Sequence, residues 1–235
     1  MDQNNLAHKW FKKGCQCDRD PEKVRQALAA FEQCVRLDRT FAPAYVNLGF
    51  IHLEREELES ARDCFQKVIQ LKPSDPEGYN NLGFVYEKMS LLGSAKQMYE
   101  QALHLEAGNT EALINLAQVL EKEGDYHQAV AHYQQAIRLH PQAVAPHFCL
   151  ATLYDRHDMF DEAEKEYQEV LKGDPLHIKG LYNLGNLYIQ LGQGGKAIEL
   201  FQRLLRLESL GYEEVDRFTA RRYRPGNDGL SLAEA

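Results

Sequence analysis

The sequence predicts an all-α fold built from repeated helical hairpins, and three observations lead there. The chain repeats itself every 34 residues. Several columns of residues stay aligned under that shift, and the apolar positions inside each repeat follow the period of an α-helix. The stretch AYVNLGF at Ala44–Phe50 returns 34 residues later as GYNNLGF at Gly78–Phe84, and the register continues at Leu113, His147 and Leu181. Leu48, Leu82, Leu116, Leu150 and Leu184 form one column. Gly49, Gly83, Ala117, Ala151 and Gly185 form a column of small residues beside it, and Ala61, Ala95, Ala129, Ala163 and Ala197 form another. Four residues after each of these alanines stands an aromatic: Phe65, Tyr99, Tyr133, Tyr167 and Phe201.

Each element follows from its residues. Residues 1–41 form an irregular first unit. Ala27, Phe31 and Cys34 hold second-helix positions in register, while Trp10 and Gly14 belong to a first helix displaced by one residue, with an insertion near Cys17 to Pro21. Residues 42–209 form five full units. In the second of these, Tyr79, Leu82, Gly83 and Tyr86 share one helical face, and Ala95, Tyr99 and Ala102 share a face of a second helix. Gly124, Asp125 and Tyr126 mark the turn in the middle unit, and Pro73, Pro141 and Pro175 stop second helices because proline cannot continue one. A hairpin cannot bury its own apolar stripe, so neighbours must stack and share a core, with small residues letting helices approach and aromatics filling the gap. Residues 210–223 are expected to form a capping helix, with Val215 and Phe218 turned to the last repeat, and residues 224–235 a flexible tail.

Composition excludes several classes of function. A net charge of -8 argues against a nucleic-acid binder, which needs Lys and Arg to neutralise phosphate. No apolar run approaches the roughly 20 residues of a membrane span, and the first residues lack the layout of a secretory signal. A soluble, cytoplasmic protein with no membrane insertion is expected. The five cysteines are too scattered for a disulfide framework. Cys15 and Cys17 lack the second ligand pair of a zinc site and are expected in a loop insertion. Gly192 to Lys196 lacks both the first glycine and the Ser/Thr of a phosphate loop, so it is an inter-helix turn. His52 and His147 occupy packing columns otherwise held by Tyr or Leu. No catalytic constellation, metal site or cofactor is expected, and the chain is not expected to be an enzyme.

These columns resemble the tetratricopeptide repeat family, whose unit is a 34-residue helix-turn-helix. The resemblance implies a right-handed superhelical solenoid whose first helices line a concave surface. On those helices one column is polar among apolar neighbours: Asn47, Asn81, Asn115, Cys149 and Asn183. Asn is a mediocre helix former, but its carboxamide offers the donor and the acceptor that a peptide unit needs. Packed helices lie about 8 to 10 Å apart and an extended chain advances about 3.3 Å per residue. One Asn per repeat therefore matches every third residue of an extended peptide. The column resembles the asparagine ladder in the peptide-binding repeats of O-linked N-acetylglucosamine transferase and of kinesin light chain, and departs from it at Cys149.

Candidate peptide-binding residues are Asn47, Asn81, Asn115 and Asn183, with Phe50, Phe84, Ile114, Phe148, Tyr182 and Asn186 on the same face. Glu54, Glu77, Glu87, Glu111 and Glu121 add acid to it, partly offset by Lys88 and Lys122, so the expected ligand has spaced apolar side chains and a basic residue. The cations with which another subset of the family clamps a C-terminal carboxylate are absent, Val46 and Phe50 standing in their place. The expected function is an adaptor that binds an extended segment of another protein. The alternative is a self-assembling scaffold, a homo-oligomer in which one copy docks head-to-tail on the next. Arg217, Arg221, Arg222 and Arg224 are a possible second docking site for an acidic partner.

Overall fold

In the computed structural model residues 3–18, 20 and 23–209 are described. The expected capping helix, tail and arginine cluster lie outside them. The described residues form twelve α-helices and no strand. They divide into two compact units. The first holds α1 (Gln3–Cys17), α2 (Val24–Leu37), α3 (Ala42–Glu54), α4 (Leu58–Leu71), α5 (Pro76–Lys88) and α6 (Leu92–Leu105). The second holds α7 (Thr110–Glu123), α8 (Tyr126–Leu139), α9 (Val144–Arg156), α10 (Phe160–Gly173), α11 (Ile178–Gln190) and α12 (Gly194–Ser209). Consecutive helices pair as hairpins, and within each unit the second helix of one hairpin packs on the first helix of the next.

The repeated columns are the core. Leu48, Leu82, Leu116, Leu150 and Leu184 are all 4% exposed or less, and Phe65, Tyr99, Tyr133 and Tyr167 are fully buried. Burying one such side chain stabilises the fold by about 1.5–3 kcal/mol. The small column exists because of the aromatic one. A Cβ on Gly49, Gly83 or Gly185 would stand 2.6, 2.6 or 2.8 Å from a ring carbon of Phe65, Tyr99 or Phe201, closer than atoms pack. The first hairpin uses the same contact, where a Cβ on Gly14 would come within 2.5 Å of Phe31. There the aromatic follows its glycine by seventeen residues instead of sixteen, so the register shift is absorbed without losing the packing. Cys15 and Cys17 lie on α1 itself and not in a loop, and Cys17 is buried against α2, its thiol 3.9 Å from Gln26.

Turns and caps repeat as well. Glu56, Ser90, Gly124, Asp158 and Gly192, each 34 residues from the next, all have positive φ between 57° and 83°. This left-handed residue reverses the chain inside each hairpin, and glycine occupies it at only two of the five places. Gly192 is thus a turn residue, and Gly194 and Gly195 begin α12. Asp75, Asn109, Asp125 and His177 cap the helices that follow them by accepting from backbone N–H groups; each cap is worth about 1 kcal/mol. Successive hairpins are also tied by a repeated glutamine–tyrosine contact: Gln66 to Tyr86 at 3.3 Å, Gln134 to Tyr154 at 3.4 Å and Gln168 to Tyr188 at 3.4 Å. His147 is 6% exposed, with Nδ1 2.6 Å from Glu166 and Nε2 3.1 Å from the Pro141 carbonyl, a packing role in accord with its column.

Candidate functional site

The candidate residues all lie on first helices, α3 and α5 in one unit and α7, α9 and α11 in the other. Their surroundings separate them into two groups. Asn47 is 1% exposed and its Nδ2 donates to the Pro43 carbonyl one turn back at 3.0 Å. Phe50 is 6% exposed and packs edge-on against Phe65, with ring centroids 5.3 Å apart. Neither presents an open face, contrary to the sequence expectation. The buried Phe50–Phe65 cluster and the helix's own carbonyl take up what a ligand would use. Asn115 is half-buried and also has a partner within the protein.

Asn81 differs. It sits half-buried on α5 and its carboxamide makes no hydrogen bond to any described residue. Three residues on, Phe84 is half-buried with the Lys88 ammonium 5.1 Å from its ring centre, a cation–π contact. In the second unit Asn186 is likewise half-buried without a hydrogen bond to a described residue, one turn after Tyr182, which is 55% exposed. Tyr182 leans on Phe201 at 6.4 Å between ring centroids. Phe148 and Asn183 meet at Tyr167: the Phe148 ring lies 6.3 Å from it, and Asn183 Nδ2 donates to its hydroxyl at 3.2 Å. Ile114 is half-buried on α7. At the broken rung, Gln118 Nε2 donates to Cys149 Sγ at 3.6 Å, and burial pushes that thiol up to about 11.

Glu87 and Glu121, which the sequence places on the face as acid, join Asp155 in a column whose tie to buried tyrosines was not foreseen. Tyr99, Tyr133 and Tyr167 donate their hydroxyls to Glu87, Glu121 and Asp155 at 3.1, 3.5 and 3.3 Å, each twelve residues earlier on the first helix of the same hairpin. Where the aromatic is Phe65 or Phe201 the residue twelve before it is Leu53 or Ile189. A buried hydroxyl needs an acceptor, and a phenyl ring does not. That matched alternation was visible in the sequence. Burial raises the Asp155 carboxyl above the usual carboxylate range, and burial likewise pushes the Tyr133 and Tyr167 hydroxyls up. Glu121 also pairs with the guanidinium of Arg156, which reaches from α9 to α7.

Comparison with known proteins agrees with the hairpin architecture. Tetratricopeptide repeat models match residues 51–90, 76–109, 110–142 and 158–221, well over half the chain together. No curated protein sequence matches. Among solved structures, PilW, a widely conserved type IV pilus biogenesis factor, is 19% identical over 89% of this chain and 96% of its own, with a TM-score of 0.76. MamA from Desulfovibrio magneticus RS-1 is 21% identical over 73% of this chain and 97% of its own, with a TM-score of 0.62. YrrB, a TPR protein with an unusual peptide-binding site, is 26% identical over 77% of this chain and 93% of its own, with a TM-score of 0.55. Among the described residues no helix is long and apolar enough to cross a membrane. With four family matches that together cover well over half of its length, the chain belongs to the tetratricopeptide repeat family.

Proposed function

We propose that this protein is a cytoplasmic protein-interaction scaffold that holds an extended segment of another protein on the first-helix faces of its units. The observation that carries this is Asn81, a half-buried carboxamide on α5 that makes no hydrogen bond to any described residue, beside the ring of Phe84. An amide so placed can exchange solvent for a ligand, and a peptide unit supplies both complements. Asn186 with Tyr182 repeats the pairing of amide and aromatic in the second unit. The ladder is in this account selective. Asn47 and Asn183 are spent on internal hydrogen bonds and Asn115 has a partner within the protein, and the rung left to a ligand stands where no hydroxyl lies behind it: Phe65, sixteen residues before Asn81, has none. The peptide-binding site named for YrrB is in keeping with this reading. The reading assigns the chain no reaction, nucleic acid or cofactor.

The test is site-specific photocrosslinking. Peptides of twelve residues are first selected from a display library on the wild-type protein. A benzophenone side chain is then placed at Phe84 or Tyr182, or at the exposed outer-helix positions Gln101 or Lys165. Crosslinking at positions 84 or 182 alone is expected; crosslinking at 101 or 165 alone would overturn the proposal. A second reading, self-assembly, has its own observation: Ile198 and Leu205 on α12 are 58% and 64% exposed. A sizing column run at several concentrations, with Leu205→Asp as control, decides it. A concentration-dependent dimer abolished by the substitution would establish the homo-oligomer, and an unchanging monomer would exclude it.

A further inference from the structure

We infer that the first-helix face of the second unit recognises an acidic side chain in the bound segment, with the guanidinium of Arg156 as its anchor. This rests on the peptide-binding reading above and gives it a charge. The charged residues of α7, α9 and α11 differ in exposure, and Glu123 at the end of α7 is the exposed carboxylate among them. Lys122, Arg156 and Lys179 are exposed, whereas Glu111, Glu121 and Asp155 are half-buried.

The reason is where each carboxylate is used. Glu121, its side chain only 15% exposed, accepts from Tyr133 through one oxygen and from Arg156 through the other. Asp155 turns inward to Tyr167. The guanidinium is oriented by two anchors: its Nε donates to the Thr152 carbonyl at 3.2 Å and one terminal nitrogen holds Glu121. The side chain nevertheless remains 62% exposed. A guanidinium carries five N–H groups in a fixed fork, so donors remain to meet a second carboxylate at little further cost in side-chain entropy. A basic ligand residue would instead meet the exposed Arg156 guanidinium and find Glu121 and Asp155 already engaged.

The experiment repeats the peptide selection on wild type, on Arg156→Gln, and on a Lys122→Gln/Lys179→Gln double variant that leaves the Arg156–Glu121 pair in place. Thermal melts check that each variant folds. Wild type is expected to enrich Asp or Glu at a fixed distance from an apolar position. Arg156→Gln should lose that enrichment, keep the apolar one, and bind the acidic consensus on the order of tenfold more weakly, the size of one lost charge-assisted contact. The double lysine variant should show a smaller loss that vanishes in high salt. Selection of peptides that crosslink at position 182 without any acidic enrichment, or with enrichment of Lys or Arg, would overturn the inference and leave the binding face standing. Peptides that crosslink only at outer-helix positions would overturn both.

Discussion

The tyrosine–carboxylate column predicts a specific non-additivity. In the hairpin α9–α10 the Tyr167 hydroxyl, fully buried, donates to Asp155 at 3.3 Å and accepts from Asn183 at 3.2 Å. Tyr167→Phe removes the donor and leaves Asp155 with water on its exposed side, a loss of about 1–2 kcal/mol. Asp155→Leu leaves a buried O–H without its acceptor, at about 1–3 kcal/mol. The double variant reproduces the Leu53/Phe65 pair that the α3–α4 hairpin already carries. Both polar partners are then gone together, and such exchanges are close to neutral. The half-exposed Asn183 can turn to water. Urea denaturation of the four proteins measures the cycle. The double variant should be more stable than either single one, with a coupling of about 1–3 kcal/mol. A double-variant loss equal to the sum of the singles would refute the account of why this column exists.

Other consequences can be measured on the same instrument. Ser90→Gly and Asp158→Gly relieve left-handed backbone at φ 61° and 57° and should each stabilise by a few tenths to about 1 kcal/mol; destabilisation would mean the side chain contributes more than the backbone costs. Gly83→Ala drives a Cβ to 2.6 Å from the Tyr99 ring and should cost about 1–3 kcal/mol, although alanine is the better helix former, and Leu116→Ala should cost about 2–5 kcal/mol. Losses under about 0.5 kcal/mol would place either residue outside the core. Burial holds the Asp155 carboxyl above its ordinary range, so the folded state binds its proton more tightly than the unfolded chain does. The stability this residue contributes therefore grows as pH falls from its folded value toward the ordinary Asp value, and is lost as pH rises through the folded value. Asp155→Asn should flatten that part of the stability curve, and an unchanged slope would contradict the burial.

The fold was legible because its determinants are periodic. Leu48 and its column, Ala61 and its column, and the aromatics each recur at 34 residues, and repetition separates a packing requirement from a coincidence. The irregular first hairpin was legible through Gly14 and Phe31, which keep their contact although their spacing shifts by one. The turn column was harder to read, since Glu56, Ser90 and Asp158 hide a left-handed requirement that only Gly124 and Gly192 advertise. The candidate site was legible only in outline. Sequence places Asn47, Asn81 and Asn183 on one face of equivalent helices but does not say which carboxamide is already engaged. That depends on a Pro43 carbonyl in one repeat and a Tyr167 hydroxyl in the preceding hairpin of another. The role of the acidic residues was hidden for the same reason: sequence does not show that Glu121 and Asp155 accept from the buried Tyr133 and Tyr167 hydroxyls.

The measurement closest to the central claim is a calorimetric titration of a library-selected peptide into wild type and Asn81→Ala, with a thermal melt of each. Asn81 makes no hydrogen bond to a described residue, and alanine is the better helix former, so the melting temperature should hold or rise slightly. One lost hydrogen bond to a peptide backbone is worth about 0.5–1.5 kcal/mol, so affinity should fall about 2- to 13-fold. Unchanged affinity with an unchanged melt would remove Asn81 from the binding face, and with it the observation on which the peptide-binding account stands.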